Sequence, residues 1–217
     1  MLRVKILSVI GFISTILNLF GCSGQEKKDD GKLSKEIQDQ LANSIETFKN
    51  RPIHKKLTSQ IIDNTPDQEL LQVVFDNLSE KQPTDYKKEY ETVMRWNKSR
   101  QAIYMIWLLE SEVNNGGYNQ FYFNSSGQFS KHLPEALNFV GANKFANLTK
   151  QANDIFLKEN SKITQHQDGT LDGFSKSYDD NPLNEFDQQF YKLYKTENLQ
   201  QLQVNFIRKN KTEFVDE

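Results

Sequence analysis

Few side chains of this chain could do chemistry, and their spacing decides of what kind. His54, His132 and His166 are scattered, without the four-residue spacing that sets two imidazoles on one helical face to hold a metal. Each reads as a surface or helix-end histidine. Glu110 and Glu112 lie two apart on an apolar helical run, which turns them about 200° around the axis, so they cannot work as a carboxylate pair. Glu112 alone is more pointed, because it sits at the end of that run beside Asn114-Asn115-Gly116-Gly117. There it either accepts hydrogen bonds from the N–H groups of the turn or acts as a general base in a pocket. Asp168-Gly169-Thr170-Leu171-Asp172-Gly173 begins like a calcium loop but lacks the third acidic position and the closing Glu. No cofactor and no metal is expected, and the chain reads as non-catalytic. The alternative is an enzyme of unknown reaction with Glu112 and Asn115 in a pocket.

The segment from Glu112 to Gly127 crowds glycine, asparagine and aromatic side chains directly behind the apolar helix. A glycine just past a helix end allows the left-handed conformation that turns the chain, and a second lets another segment approach. Asn114 and Asn115 can bond local backbone groups through their amides. Tyr118, Phe121, Tyr122 and Phe123 would then fold back over the core, with Gln120 and Asn124 holding the turn. On this reading the segment is a helix-to-helix corner. A second reading makes it a recognition surface, with Tyr118, Gln120, Tyr122 and Asn124 partly exposed to a polar partner. A phosphate cradle is disfavoured, since Asn-Asn-Gly-Gly follows a helix instead of opening one.

The elements that must position these residues are helical almost throughout. Ile37, Leu41, Ile45 and Phe48 recur at helical spacing, with Pro52 as the stop. Thr65-Pro66-Asp67-Gln68 reads as a start, with Thr65 as the cap and Gln68 reaching back. Leu70, Leu71, Val74, Phe75 and Leu78 form the stripe behind it. Thr84 opens a helix carrying Tyr86, Tyr90, Val93 and Met94. Ala102 to Val113, with Ile103, Ile106, Trp107 and Leu109, reads as the central core helix. Further helices are expected over 133–140, 143–160, 182–194 and 197–210; Gln120–Phe123 is the only short strand candidate. The pattern suits an all-α fold: a single multi-helix globular domain over 58–217, with 33–57 as an N-terminal helix or stalk.

The N-terminus reads differently. Arg3 and Lys5 precede an uncharged run, Ile6 to Phe20, too short to span a ~30 Å hydrocarbon layer permanently. A basic start followed by a short apolar run is an export signal, over residues 1–21. Leu19-Phe20-Gly21-Cys22 resembles the bacterial lipobox, which implies that Cys22 is lipidated and anchors the protein stably to a membrane of the cell envelope. Cys22 is the only cysteine, so neither an intrachain disulfide nor a paired-thiol metal site can form. Residues 22–32 have no apolar side chain beyond the cysteine and read as a flexible tether. Without Arg3 and Lys5 the 27 basic residues become 25 against 29 acidic, a balance that suggests neither nucleic acid nor anionic lipid as a partner.

Trp107, followed by Glu112-x-Asn114-Asn115-Gly116-Gly117-Tyr118-x-Gln120-Phe121-x-Phe123-Asn124-Ser125-Ser126-Gly127, resembles the hallmark of the DNA-mimic protein nineteen family. The resemblance runs through Gly141-Ala142 and Pro182 to Tyr191 and covers about residues 89–214. It implies an all-α fold and allows a homodimer, since the named member is a dimer that imitates DNA to occupy a transcription regulator. That activity does not carry over. DNA presents about one negative charge per 1.7 Å of axis, whereas residues 58–217 hold 17 Lys/Arg and 23 Asp/Glu. A lipidated, exported chain also never meets a cytoplasmic regulator. The expected partner is instead an unknown protein of the cell envelope. It would meet the Tyr118–Asn124 corner or the acidic stretch that holds Asp168, Asp172, Asp179, Asp180, Glu185 and Asp187.

Overall fold

The computed structural model describes residues 35–216 apart from 167 and 169. The expected signal peptide, the lipidated Cys22, the tether and the helix start at Leu33 lie outside the described residues. The chain divides into a first unit that ends at Ile53 and a second from His54 to Glu217. In the first, α1 (Lys35–Asn50) is followed by Arg51, whose guanidinium lies 3.6 Å from the centre of the Phe48 ring.

The second unit is built of α2 (Ser59–Asn64), α3 (Asp67–Glu80), α4 (Glu89–Arg95), α5 (Lys98–Phe123), α6 (Leu133–Phe139), α7 (Asn143–Lys158), α8 (Asn160–Thr164), α9 (Leu171–Lys176), α10 (Asn184–Leu193) and α11 (Leu199–Lys209). Three 3-10 segments join them, at Tyr86–Lys88, Ser125–His132 and Lys211–Glu213. No strand occurs among the described residues, and the strand candidate Gln120–Phe123 is the last turn of α5. The reason is visible in its side chains. Tyr118, Phe121 and Tyr122 fall three and four apart, which on a helix aims all three at one face.

Helix α5 is the hub, with α3, α4, α6, α10 and the Ser125–His132 segment packed around it. Ile103, Tyr104, Ile106, Leu109 and Val113 are fully buried, as the apolar run predicts. Trp107 sits at the edge, half-buried, its ring 4.4 Å from that of Phe75 in a stacked arrangement.

Side-chain caps fix several of the starts. Asn97 accepts from the Arg100 N–H, Thr58 from Ile61 and Asn198 from Gln201. Two expected starts shift. Thr65 does not cap α3; it closes α2, its hydroxyl donating back to the Ile61 carbonyl at 2.6 Å, and Pro66 stands at the head of α3. The helix expected to open at Thr84 is preceded by the 3-10 segment Tyr86–Lys88, where Asp85 accepts from the Lys87 N–H. A short helix just upstream uses up Thr65, and local spacing alone does not reveal it.

The chain end is tied back to the start of the unit. Asp216 accepts from the Leu57 N–H at 2.9 Å, from Lys81 at 2.9 Å and from Arg100 at 2.9 Å, while its own N–H donates to the Leu57 carbonyl at 2.8 Å.

Candidate functional site

The glycine pair does not end α5; it breaks it. Gly117 takes φ 74° and ψ −178°, a conformation essentially reserved for glycine, and the helix resumes at Tyr118. A break frees backbone groups that an unbroken helix would pair. Three side chains from one later stretch take them up. Tyr191 donates to the Val113 carbonyl at 2.7 Å, and Tyr178 donates to the Gly116 carbonyl at 2.8 Å. Asp187 accepts from the Tyr118 N–H at 2.7 Å. A Cβ at Gly117 would overlap the Asp187 carboxylate, and one at Gly116 would overlap the Gln120 amide and press on the Tyr178 hydroxyl. Both glycines are therefore needed for close approach.

Glu112 lies just inside the break, 1% exposed. One carboxylate oxygen accepts from Gln120 at 2.7 Å and Asn124 at 2.8 Å, the other from Ser126 at 2.9 Å. The expected bonds from the turn's own N–H groups are not made. That role falls to Asp187, which no local signal could have singled out. Asn115 is exposed and donates to the Gln120 carbonyl oxygen at 2.9 Å, so one chain of bonds runs from Asn115 through Gln120 to Glu112. Asn114, half-buried, donates to the Tyr194 hydroxyl at 3.1 Å.

The recognition reading needed Tyr118 and Gln120 partly exposed, and both are buried. The Tyr118 hydroxyl pairs with Thr149 at 2.9 Å, its ring packing edge-on against Phe121 and Phe190. Phe121 is fully buried. Tyr122 and Asn124 are half-buried; Tyr122 donates to Asn153 at 2.6 Å and stacks on Phe156. A buried phenol needs a polar partner, and Thr149 provides it for Tyr118 as Asn153 does for Tyr122.

Glu110 and Glu112 diverge, as the 200° argument requires. Glu110 accepts from Tyr194 and Gln203, both at 2.8 Å, and burial pushes its pKa up against those two donors. Glu89 is also held above the usual carboxylate range by burial, with the Tyr104 hydroxyl opposing and the Glu112 charge adding to the rise. Asp187 is pushed up to about 6 by burial, although the Tyr118 N–H pulls the other way.

The remaining sequence candidates stay apart from this cluster. His132 pairs with the Tyr90 hydroxyl at 2.9 Å, and burial followed by Lys131 and Lys98 lowers its pKa. Asp168 accepts from the N–H and hydroxyl of Thr170, which in turn caps α9, so the residues of the calcium-loop candidate serve a helix start. Among the described residues no group of three His, Cys, Asp or Glu side chains is placed to hold a metal ion, and no helix is long and apolar enough to cross a membrane. A groove of about 250 Å³ between α7 and α10, lined by Lys144, Asn147, Leu148, Gln151, Gln189 and Leu193, takes no residue from the motif.

A family model described as DMP19-like protein matches residues 94–210, which spans the break and all three side chains that clamp it. No curated protein and no solved structure matches the chain.

Proposed function

The chain belongs to the DMP19-like family, and we propose that it serves as a lipid-anchored, non-catalytic protein-binding module of the bacterial cell envelope. The observation that carries the non-catalytic reading is the state of Glu112. Its carboxylate is buried and engaged by three donors, which leaves a substrate no open approach to it. The same bonds turn the motif inward. What the domain offers a partner is then the outer side of the stretch that clamps the break, where Asp179, Asp180 and Glu185 are exposed. A protein with a basic surface is the matching partner. Attachment rests on Cys22, the one cysteine, placed directly behind a basic start and an apolar run.

The enzyme reading, with Glu112 and Asn115 in a pocket, has less support. Asn115 is exposed, but it reaches Glu112 only through Gln120, and Glu112 itself faces no opening.

A photo-cross-linking residue at position 185 of the full-length chain, activated in intact cells, tests the proposal. The expected result is an adduct with one envelope protein, lost when Asp179 and Asp180 are both changed to Lys. An adduct indifferent to that charge reversal, or none at all, would overturn the acidic contact surface. A Glu112→Gln variant that keeps its stability and yet abolishes a cellular function would favour the enzyme.

A further inference from the structure

The overall balance of charge hides an asymmetry within the second unit. Around the start of α5, Lys55, Lys87, Lys88, Lys98 and Lys131 are exposed, and none enters an ion pair among the described residues. Specific contacts place each of them there. Lys98 is the first residue of α5, and after burial it and Lys131 both lower the pKa of His132, so the three groups are neighbours. Lys131 also reaches over the Tyr90 ring at 5.7 Å. Lys87 and Lys88 directly precede Glu89, which accepts from Tyr104 in the second turn of α5 at 2.8 Å. The Lys55 carbonyl accepts from Asn77, which also donates to Asp216, the partner of Arg100. Asp85, Glu135 and Glu213 lie among these lysines and offset part of their charge, while Glu91 is taken up by Arg95. The opposite charge gathers where α5 breaks, about 27 Å along the axis from Lys98 to Gly116. Tyr178 and Asp187 bind there, and beside them Asp179, Asp180 and Glu185 are exposed and enter no ion pair among the described residues. The chain that leads back to Cys22 joins this unit at His54, whose carbonyl accepts from Asn77, hence at the basic end.

We propose that the end of the unit around the start of α5 docks on an anionic lipid surface through Lys55, Lys87, Lys88, Lys98 and Lys131, with Asp179, Asp180 and Glu185 turned away from it. This orientation rests on the tether at Cys22 proposed above. A tether makes the second contact intramolecular, so a weak attraction is enough to orient the unit. Each uncompensated lysine near such a surface favours contact by about fivefold. Five lysines against three acids leave an excess of two, which gives about thirtyfold over a neutral surface. The attraction fades within about 10 Å at 0.1 M salt, so the lysines feel the surface and the acidic end, further out, does not. The reverse orientation would press the exposed carboxylates onto like charge. Docked by its basic end, the unit presents its acidic contact surface to a protein partner away from the lipid.

Lysine footprinting reads the docked face. The full-length chain is coupled through Cys22, its one cysteine, to a maleimide lipid in vesicles of phosphatidylcholine, alone or with equimolar phosphatidylglycerol. Amines are then acetylated briefly and located by mass spectrometry. On the anionic vesicles the five lysines should lose about tenfold in reactivity relative to the neutral ones. Lys176 and Lys192, on α9 and α10, should keep theirs. In about 1 M salt, where the field reaches only about 3 Å, the difference should vanish. Lys98→Glu with Lys131→Glu, both at exposed positions, should free Lys55, Lys87 and Lys88 to react. Equal reactivity on the two kinds of vesicle, or equal protection of Lys176 and Lys192, would overturn the docking face. Protection by soluble polyglutamate and not by the vesicles would assign it to an acidic protein and overturn the lipid as its occupant. Coupling at Cys22 provides the tether whether or not the cell lipidates it, so a flat footprint counts against the face alone. Failure of the anchor itself shows separately, as a Cys22→Ser chain that stays with the membrane fraction.

Discussion

Gln120 Nε2 donates to Glu112 Oε2 at 2.7 Å, so a side chain from beyond the Gly116-Gly117 break grips a carboxylate from before it. The two halves of α5 are joined by this buried bond as well as by the backbone. The same amide accepts from Asn115 at 2.9 Å, which leaves Gln120 with one orientation that satisfies both neighbours.

Glu112→Gln replaces an acceptor fed by three donors with a group that itself donates. The amide oxygen can still accept from Gln120 and Asn124, but Ser126 must turn its hydroxyl to accept from the new NH2, and charge-assisted bonds become neutral ones, at a cost of about 1–3 kcal/mol. Urea unfolding followed by circular dichroism measures it. A change within about 0.5 kcal/mol would mean that the network does not hold the fold.

Gly117→Ala is expected to destabilise by about 3 kcal/mol or more, from the positive φ and from overlap with the Asp187 carboxylate. The two contributions separate in a double-mutant cycle. In an Asp187→Gly background the overlap is gone and only the backbone strain remains, so Gly117→Ala should cost clearly less there. Equal costs in both backgrounds would show that Asp187 does not stand over Gly117.

The periodic part of this fold is open to reading from sequence because α3, α5, α7 and α11 each carry their own apolar stripe and a nearby cap or stop. The break is not. A glycine pair that ends a helix and one that kinks it share the same local residues, and what decides between them lies elsewhere. Tyr178, Asp187 and Tyr191 are 62, 69 and 78 residues from the groups they bind. Without those partners, Gly116-Gly117 reads as a stop. The acidic stretch shows the same limit. Asp187 counts as one charge among six in the sequence, yet it alone is drawn in from the surface, where the Tyr118 N–H donates to it at 2.7 Å.

Cys22→Ser is expected to move the protein from the membrane fraction to the soluble fraction of the cell. If the acyl chains at Cys22 are the anchor, their loss releases the protein, since the run Ile6 to Phe20 is short for a permanent span. Fractionation with and without carbonate washing gives the result. Persistent membrane association of Cys22→Ser would point to an uncleaved N-terminal anchor.

Asp216 makes a pH prediction for the fold as a whole. Burial works against its charge, but the Leu57 N–H, Lys81 and Asn77 outweigh it and hold the pKa at about 2. Arg100 adds a further bond at 2.9 Å. A carboxyl whose folded pKa lies below its unfolded value of 3.8 stabilises fully above that value and loses its contribution as pH falls through the folded one. Unfolding midpoints of the natural chain should therefore drop between about pH 4 and pH 2. Asp216→Asn removes this part of the acid sensitivity and at neutral pH costs about 2–3 kcal/mol, because Lys81 and Arg100 are left facing an uncharged amide. Chemical denaturation of both proteins at pH 7 and pH 3 checks it. Parallel losses in the two chains on acidification would place the acid-sensitive group somewhere other than this C-terminal clasp.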